Sequence, residues 1–272
     1  MSSPDASASS GAGVRWSRSA PGVALIEFTR PERRNPLDVE TGLRLVEILA
    51  EIEADESVRA VVITGRGGAF SAGGDIDHIA RIPSRPEAET AASFATRFAV
   101  SEAIYNSAKA YIAAISGPVV GAAFGLALAC DLRIGDETAM FLAPFSRMGL
   151  VPDYGLSWLL PRTVGTSAAL EVALLGDRIG ALDAHRLGVL NRVVDDPLAA
   201  ALGAAGVLAS RPAYGIAETK RLAHAAMDRP FSEGLADEVA AQARGFQQPE
   251  VQSEVAAYTQ SIGNRAKTKR GA

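Results

Sequence analysis

The chain has 272 residues, of which 48% are hydrophobic and 21% are charged, and its formal net charge at pH 7 is −4. This composition is typical of a globular protein that is long enough to bury a sizeable core. The acidic balance argues against a nucleic-acid-binding surface, which normally shows clustered lysine and arginine. The single cysteine, Cys130, excludes an intramolecular disulfide and is compatible with the reducing cytoplasm.

Two segments bear on targeting. Residues 1–13 are rich in Ser, Ala and Gly and lack the charged and apolar regions of a signal peptide, so we expect a disordered tail. Residues 110–130 carry no formal charge and are long enough to raise the question of a membrane span. A Ser-Gly-Pro turn at residues 116–118 divides this stretch, and we therefore expect a strand and a short helix inside a globular domain, with no membrane association.

The first part of the chain alternates predicted strands and helices, which indicates an α/β fold. Strands are predicted at 23–29, 58–64, 111–115 and 139–142, and helices after Asp38 and at 88–108 and 121–129. Asp38 is a favourable helix cap, and the helix after it would bury a stripe formed by Leu43, Val46, Ile48 and Leu49. Helical spacing then dominates from residue 157 onward. We expect residues 14–200 to form the α/β core and residues 201–272 to form a helical region.

Two turns of small residues each follow a predicted strand. The first, residues 70–75, has the sequence Phe-Ser-Ala-Gly-Gly-Asp, and the second covers residues 116–125. Glycine leaves backbone N–H groups uncovered, so each turn could direct one N–H at a single carbonyl oxygen. This arrangement predicts an oxyanion hole, although close packing of a strand against a helix also favours small residues.

Five motifs in chain order resemble those of the crotonase family, the enoyl-CoA hydratase/isomerase superfamily. They are the opening turn at 29–37, the turns at 70–75 and 115–123, Cys-Asp-Leu-Arg-Ile at 130–134, and Gly-Leu-Val-Pro-Asp at 149–153. Each motif alone is a weak signal, but five in register over residues 14–260 form a strong one. The resemblance implies a spiral of ββα units with a C-terminal helical region. It also implies a coenzyme A thioester as substrate, with no separate cofactor and no metal.

The resemblance assigns roles to residues of these motifs. It implies that the N–H groups of Gly74 and Ala122 hold the thioester oxygen, and that the family's two hydratase glutamates correspond to Gly125 and Phe145. Neither of the latter can titrate, so hydration by the usual mechanism is not expected. The residues implied to line the substrate site are Arg33, Arg34, Ala72, Gly73, Asp75, Ile76, Gly121 and Phe145. Asp75 is also expected to cap the helix that follows it.

Asp153 is the candidate acid and base. It matches the carboxylate of family members that shift a double bond, and the surrounding motifs resemble most closely those of epoxyphenylacetyl-CoA isomerases and Δ3,Δ2-enoyl-CoA isomerases. One carboxylate suffices for this reaction, and apolar neighbours would raise its pKa toward neutrality. We expect these neighbours to be Phe145, Met148, Leu150, Val151 and Tyr154. The alternative role for Asp153 is to cap the helix beginning near Tyr154.

Other functions stay open at this stage. An isomerase is favoured over an atypical hydratase, over a chlorobenzoyl-CoA dehalogenase with Asp153 as nucleophile, and over a non-catalytic acyl-CoA-binding scaffold. The resemblance further implies that the last helices pack on a neighbouring copy in a homotrimer or homohexamer.

Overall fold

The computed structural model describes residues 13–270 of the chain, and their side chains up to residue 262. Apart from Gly13, the predicted N-terminal tail lies outside the described residues.

The described strands form two sheets. The nine strands are β1 (Val14–Ala20), β2 (Val23–Phe28), β3 (Ala60–Gly65), β4 (Ala110–Ile115), β5 (Pro118–Val120), β6 (Leu132–Gly135), β7 (Met140–Leu142), β8 (Ile179–Gly180) and β9 (Arg192–Val193). The main sheet has the order β1-β2-β3-β4-β6-β9, in which β1 is antiparallel to β2 and the other neighbours are parallel. The smaller sheet has the order β5-β7-β8.

Helices follow most of the strands and make up the C-terminal part. They are α1 (Val39–Ala54), α2 (Ile76–Ile79), α3 (Glu87–Asn106), α4 (Ala122–Ala129), α5 (Leu156–Val164), α6 (Thr166–Leu175), α7 (Ala181–Arg186), α8 (Pro197–Ala209), α9 (Ala213–Ala225), α10 (Phe231–Gly245) and α11 (Pro249–Arg270). Short 3-10 helices are Pro31–Arg33, Ile82–Ser84, Pro144–Met148 and Ala226–Asp228.

The strands in the middle of the main sheet are those that the apolar runs predict. Every residue of β4 and all but the last residue of β3 are buried. Parallel strands that are covered on both faces are built from continuous apolar runs, which explains why these runs are readable in the sequence. By contrast, β5, β8 and β9 have only two or three residues each and show no periodicity.

Helix α1 has the predicted cap at Asp38, but its buried face differs from the predicted one. The Asp38 carboxylate accepts a hydrogen bond from the Thr41 N–H at 2.9 Å. The predicted stripe included Leu43, but that side chain is 42% exposed, whereas Leu45 and Ile52 are buried. The stripe is therefore shifted around the helix, because the buried positions follow the spacing 45, 48, 49 and 52.

Helix α8 belongs to the core. Its residues Ala201 and Ala205 are fully buried and pack with Val62 and Ile112 on the face of the main sheet. The predicted boundary at residue 200 falls inside this helix, so the α/β core extends to the end of α8.

None of the helices in the described residues is long and apolar enough to cross a membrane. The uncharged stretch 110–130 folds as β4, β5 and α4, in agreement with the strand and short helix expected there.

Candidate active site

The two small-residue turns are joined by backbone hydrogen bonds. The Phe70 N–H donates to the Ser116 carbonyl at 2.8 Å, the Ser71 N–H donates to Pro118 at 3.0 Å, and the Val120 N–H donates to Ser71 at 3.1 Å. These bonds join the first turn to the turn after β4 and to β5 of the smaller sheet. The turns are thereby fixed relative to each other.

Glycine is required where the turns touch. Gly73 has a φ of +79°, and a Cβ placed on it would lie 2.2 Å from the Val120 carbonyl oxygen and 3.6 Å from the Ala122 nitrogen. Gly121 has a φ of 54° and a ψ of −117°, a conformation that is essentially restricted to glycine. The sequence therefore brings the backbone of both turns closer together than side chains would allow.

The two predicted oxyanion donors are available. Among the described residues, neither the Gly74 N–H nor the Ala122 N–H donates a hydrogen bond. Ala122 is the first residue of α4, whose opening N–H groups have no partner inside the helix and lie at the positive end of its dipole. Both groups flank the contact between Gly73 and Val120, so the arrangement can receive one oxygen atom that develops negative charge.

The opening turn supports the first of these loops through Asn35, a residue that is not among the predicted site residues. Its side chain is buried, donates to the Ala69 carbonyl at 2.7 Å and to the Arg66 carbonyl at 2.9 Å, and accepts from the Arg30 N–H at 2.9 Å. Asn35 has a φ of 55°, which asparagine tolerates better than most residues. Its place in the opening motif was the only signal for this role.

The predicted substrate-binding residues near the opening turn take different positions. Asp75 is buried and caps α2, because its carboxylate accepts from the His78 N–H at 2.9 Å, as expected. Its other oxygen pairs with the half-exposed Arg33 at 2.7 Å. Arg34 is exposed, and its carbonyl accepts from the Ala72 N–H at 2.8 Å. Ile76 is 81% exposed.

A cleft of about 660 Å³ lies beside these residues. It is lined by Arg33, Asp38, Val39, Glu40, Asp75, Asp77, His78, Ala80 and Arg81. Neither Asp153 nor Ala122 lines it, so the cleft adjoins the first turn at Asp75 and does not include the candidate base or the second turn.

The loop that carries Asp153 packs on α4 at Gly125. A Cβ at Gly125 would lie 2.6 Å from the Tyr154 carbonyl oxygen and 2.8 Å from the Asp153 carbonyl oxygen. Gly125 is three residues beyond Ala122 on the same helix, a rise of about 4.5 Å. The Asp153 backbone therefore fills the space into which a side chain at position 125 would project, about one turn from the Ala122 N–H.

The carboxyl of Asp153 is not a helix cap. Helix α5 begins at Leu156 after Gly155, which supplies no side chain, and the alternative expected for Asp153 is therefore wrong. Its Oδ1 atom is buried without a hydrogen-bond partner in the described residues. Burial raises the pKa of Asp153 to about 6, and the nearby charge of Arg97 lowers it by a smaller amount.

The environment of Asp153 differs from the predicted one. Phe145 and Tyr154 are buried, but Met148, Leu150 and Val151 are 50%, 51% and 80% exposed, so this part of the expectation is wrong. Residues 149–151 lie in a surface loop, where apolar character does not predict burial. The Phe145 ring lies against Gly121, because a Cβ on Gly121 would be 3.6 Å from its Cζ atom.

Helix α3 contributes polar residues that the sequence does not single out. Arg97 and Ser101 are one turn apart on its buried face, and each is 5% exposed. The Tyr154 ring packs on Phe98 of the same helix with 4.9 Å between the ring centroids. Arg97 stands among apolar residues of α3, and this isolated charge is the signal that could have revealed it.

The sequence and structure of the chain resemble those of known proteins. Residues 18–264 match the family model described as enoyl-CoA hydratase/isomerase. A 1,2-epoxyphenylacetyl-CoA isomerase of Escherichia coli is 35% identical over 215 residues, which cover 75% of this chain and 79% of that protein. A 4-chlorobenzoyl coenzyme A dehalogenase of Arthrobacter is 38% identical over 179 residues, which cover only 64% of each chain.

Solved structures agree with the fold. An enoyl-CoA hydratase from Polaromonas sp. JS666 superposes with a TM-score of 0.87 at 32% identity, and the match covers 91% of this chain and 97% of that one. The predicted α/β spiral with C-terminal helices is therefore confirmed as the fold class.

Proposed function

Since the chain belongs to the enoyl-CoA hydratase/isomerase family, we propose that it shifts the double bond of an enoyl-CoA thioester, with Asp153 as both acid and base. The crotonase resemblance of the sequence motifs is confirmed by the family match, and the choice of isomerase within this family is the proposal.

The proposed reaction is a transfer of one proton within the acyl group. The Asp153 carboxylate takes a proton from C2 of a 3-enoyl-CoA, and the C–H electron pair moves into the thioester to form an enolate. The N–H groups of Gly74 and Ala122 bind the enolate oxygen. The electron pair then returns through C2–C3 to C4, which takes the proton back from Asp153 and yields the 2-enoyl-CoA. Atoms balance without a metal or a redox cofactor.

The Oδ1 atom of Asp153, which is buried without a hydrogen-bond partner in the described residues, is the observation that carries this proposal. A base that removes a weakly acidic C–H proton and returns it works best with a pKa near the working pH. Burial raises the pKa of Asp153 to about 6, so the side chain is ionised at pH 7 and can still release its proton readily. No salt bridge in the described part of the chain engages this carboxyl.

The packing at Gly125 disfavours a hydratase. Hydration in this family was expected to need glutamates at positions 125 and 145. Position 145 holds Phe, and the backbone of residues 153–154 fills the space beside Gly125. A glutamate could not be accommodated there unless the Asp153 loop moved, so the Asp153 carboxyl and a glutamate carboxyl at position 125 are alternatives.

A dehalogenase is the second candidate, favoured by the 38% identity to the 4-chlorobenzoyl coenzyme A dehalogenase. In that reaction the Asp153 carboxylate would attack a ring carbon and displace chloride, and water would then hydrolyse the ester. A pKa of about 6 would serve a nucleophile as well as a base, so the ranking rests on the match itself: the dehalogenase covers only 64% of this chain, whereas the 1,2-epoxyphenylacetyl-CoA isomerase covers 75%.

Substrate binding is proposed to use the cleft and both turns. Arg33 borders the cleft and Arg34 lies beside it in the opening turn, and their guanidinium groups suit the phosphates of coenzyme A. Ala72, Gly73 and Gly121 would guide the thioester toward the oxyanion hole. Asp75 would act indirectly, because it orients Arg33 through their ion pair.

An oligomer is also proposed, as the homotrimer or homohexamer expected from the motifs. Helix α10 exposes an apolar stripe at i, i+4 and i+8: Phe231 is 85% exposed, Leu235 49% and Val239 65%. A stripe of this kind on an otherwise polar helix is typical of an interface. Size-exclusion chromatography with light scattering would give the mass of the protein in solution. A monomer of 28.3 kDa would contradict this part of the proposal.

The product of the reaction separates these candidates. The purified protein would be incubated with a 3-enoyl-CoA, a 2-enoyl-CoA and 4-chlorobenzoyl-CoA, and the products measured by thioester absorbance and by mass. We expect the 3-enoyl-CoA to become the 2-enoyl-CoA without a change of mass. Addition of water to the 2-enoyl-CoA would establish a hydratase, and loss of chloride a dehalogenase. Binding without turnover of any of the three would favour a scaffold.

A further inference from the structure

Four of the six buried polar side-chain atoms that have no hydrogen-bond partner in the described residues belong to one region. They are Arg97 Nη2, Ser101 Oγ, Asp153 Oδ1 and Tyr154 Oη. Buried polar atoms are nearly always hydrogen-bonded, since an unmade bond leaves their desolvation uncompensated. A concentration of such atoms beside the candidate base therefore points to a polar group that arrives with the substrate.

The residues of this group come together from α3 and from the Asp153 loop. Arg97 and Ser101 follow each other on the buried face of α3, and a Cβ on Gly155 would lie 3.9 Å from the Ser101 Cβ. Tyr154 is 2% exposed and follows Asp153 directly. On the other side, a Cβ on Gly42 of α1 would lie 3.0 Å from the Arg97 Cδ.

The guanidinium of Arg97 is the unusual member. It is buried and forms no ion pair within the described part of the chain. Its polar contacts are limited to one long hydrogen bond of 3.3 Å from Nε to the Ser93 carbonyl, and its Cζ atom lies 5.1 Å from the centre of the Phe94 ring. A buried cation without an anion is costly, and natural proteins rarely keep one unless a ligand supplies the anion.

The position of Arg97 relates it to the substrate path. Burial lowers the pKa of His78, which lines the cleft, and the nearby charge of Arg97 lowers it further. Burial raises the pKa of Asp153 and of Tyr154, and the same charge opposes both shifts. Arg97 is therefore close enough to His78 of the cleft and to the candidate base to act on both. Of the anions in this region, Asp38 is already paired with Arg30 at 2.6 Å, and Asp153 lies beyond salt-bridge distance from Arg97.

We propose that Arg97, Ser101 and Tyr154 form a binding site for a carboxylate at the far end of the acyl group, so that the preferred substrates are coenzyme A thioesters of dicarboxylic acids. This inference rests on the proposed acyl-CoA substrate and adds the chemical class of its acyl group. The guanidinium supplies the charge, and the two hydroxyl groups supply further donors. Asp153 does not share in the binding, because two carboxylates repel each other.

Equilibrium binding of two saturated thioesters of the same chain length tests the proposal without turnover. Adipoyl-CoA and hexanoyl-CoA both have six acyl carbons and differ in the terminal carboxylate. Isothermal titration calorimetry with the full-length protein is expected to show at least about tenfold tighter binding of adipoyl-CoA, as a charge-assisted hydrogen bond provides. Equal affinities, or a preference for hexanoyl-CoA or for 6-hydroxyhexanoyl-CoA, would overturn the inference.

Substitution of Arg97 tests whether this residue causes the preference for adipoyl-CoA over hexanoyl-CoA. In Arg97→Met, which keeps most of the side-chain volume, adipoyl-CoA is expected to lose its advantage while hexanoyl-CoA binds as before. Arg97→Lys keeps the charge and is expected to restore part of the preference. An equal loss for both thioesters would mean that Arg97 only supports the fold and would overturn the inference.

If the Arg97 variants do not fold, the comparison of adipoyl-CoA with hexanoyl-CoA in the wild-type protein still tests the carboxylate site. The same comparison distinguishes a failure of the carboxylate site from a failure of the proposed acyl-CoA substrate. Failure to bind either thioester would overturn both the acyl-CoA substrate and the carboxylate site. Binding of both with equal affinity would overturn the carboxylate site alone.

Discussion

Two loops of the candidate site each carry an aspartate, and the two carboxyls have opposite surroundings. In the loop at residues 70–75, Asp75 caps α2 through the His78 N–H and pairs with Arg33. In the loop at residues 149–155, Asp153 is also partly shielded from solvent, but its Oδ1 has no partner among the described residues and its pKa is raised to about 6. The same residue type is therefore structural in one loop and chemically available in the other. Hydrogen-bond partners, rather than sequence context, make the difference.

The largest effect is expected where the Asp153 loop rests on α4. Gly125→Ala would place a methyl group 2.6 Å from the Tyr154 carbonyl oxygen, and we expect a loss of about 3 kcal/mol in the free energy of unfolding. Gly203→Ala in α8 is the matched control, because that helical glycine has nothing within 4 Å of its Cβ position. It should stabilise the protein by about 0.5–1 kcal/mol. Urea unfolding would measure the free energy of unfolding of both variants. Similar free energies for the two would contradict the close contact between Gly125 and the Asp153 loop.

Removing the charge of Asp153 should stabilise the protein. A carboxyl with a higher pKa in the folded chain binds its proton more tightly there, so its ionisation weakens the fold as pH rises from about 4 to about 6. With a pKa raised from 3.8 to about 6, we expect Asp153→Asn to add on the order of 2 kcal/mol at pH 7. Thermal unfolding at pH 7 and pH 4 would measure it. The gain should disappear at pH 4, and a variant that is less stable than the wild type at pH 7 would contradict an uncompensated burial of the Asp153 carboxyl.

Asp75 should respond in the opposite direction. Asp75→Ala removes the cap of α2 and should cost about 1 kcal/mol at pH 7. Asp196→Ala is a control outside the site, since Asp196 caps α8 by accepting from the Ala199 N–H at 2.9 Å. The two variants should lose similar stability in chemical unfolding, whereas only the first should weaken acyl-CoA binding. If Asp75→Ala were more stable than the wild type, Asp75 would not have the structural role that distinguishes it from Asp153.

The last prediction concerns the pH dependence of kcat/KM. Because the base must be ionised, kcat/KM for the isomerisation should rise about tenfold per pH unit below pH 6 and level off above it. Initial rates from pH 4.5 to pH 8 would locate the inflection, and Asp75→Asn should leave it in place. A profile that is flat across pH 6 would mean that Asp153 is not the base.

The fold was readable from the sequence where long apolar runs and capping residues specify local structure. Strands β2, β3 and β4 and the caps at Asp38 and Asp75 are examples. Strand β8 and strand β9 were not readable, because two residues carry no pattern and their pairing depends on distant partners.

The site was only partly readable. The motifs brought the two turns and Asp153 into one site, but the fit between Gly125 and the Asp153 loop is a contact between distant segments. The exposure of Val151 and the burial of Arg97 run against the ordinary preferences of these residue types. These departures from the usual burial of apolar and charged residues depend on tertiary structure, and both are found near Asp153.

The most direct test of the account is the turnover of 3-enoyl-CoA by Asp153→Asn. The substitution keeps the shape of the side chain and removes its ability to carry the proton. We predict a kcat that is about 10²–10⁴-fold lower than in the wild type, with acyl-CoA binding retained and the fold at least as stable at pH 7. An Asp153→Asn variant that isomerises 3-enoyl-CoA at the wild-type rate would contradict the assignment of Asp153 as the acid and base.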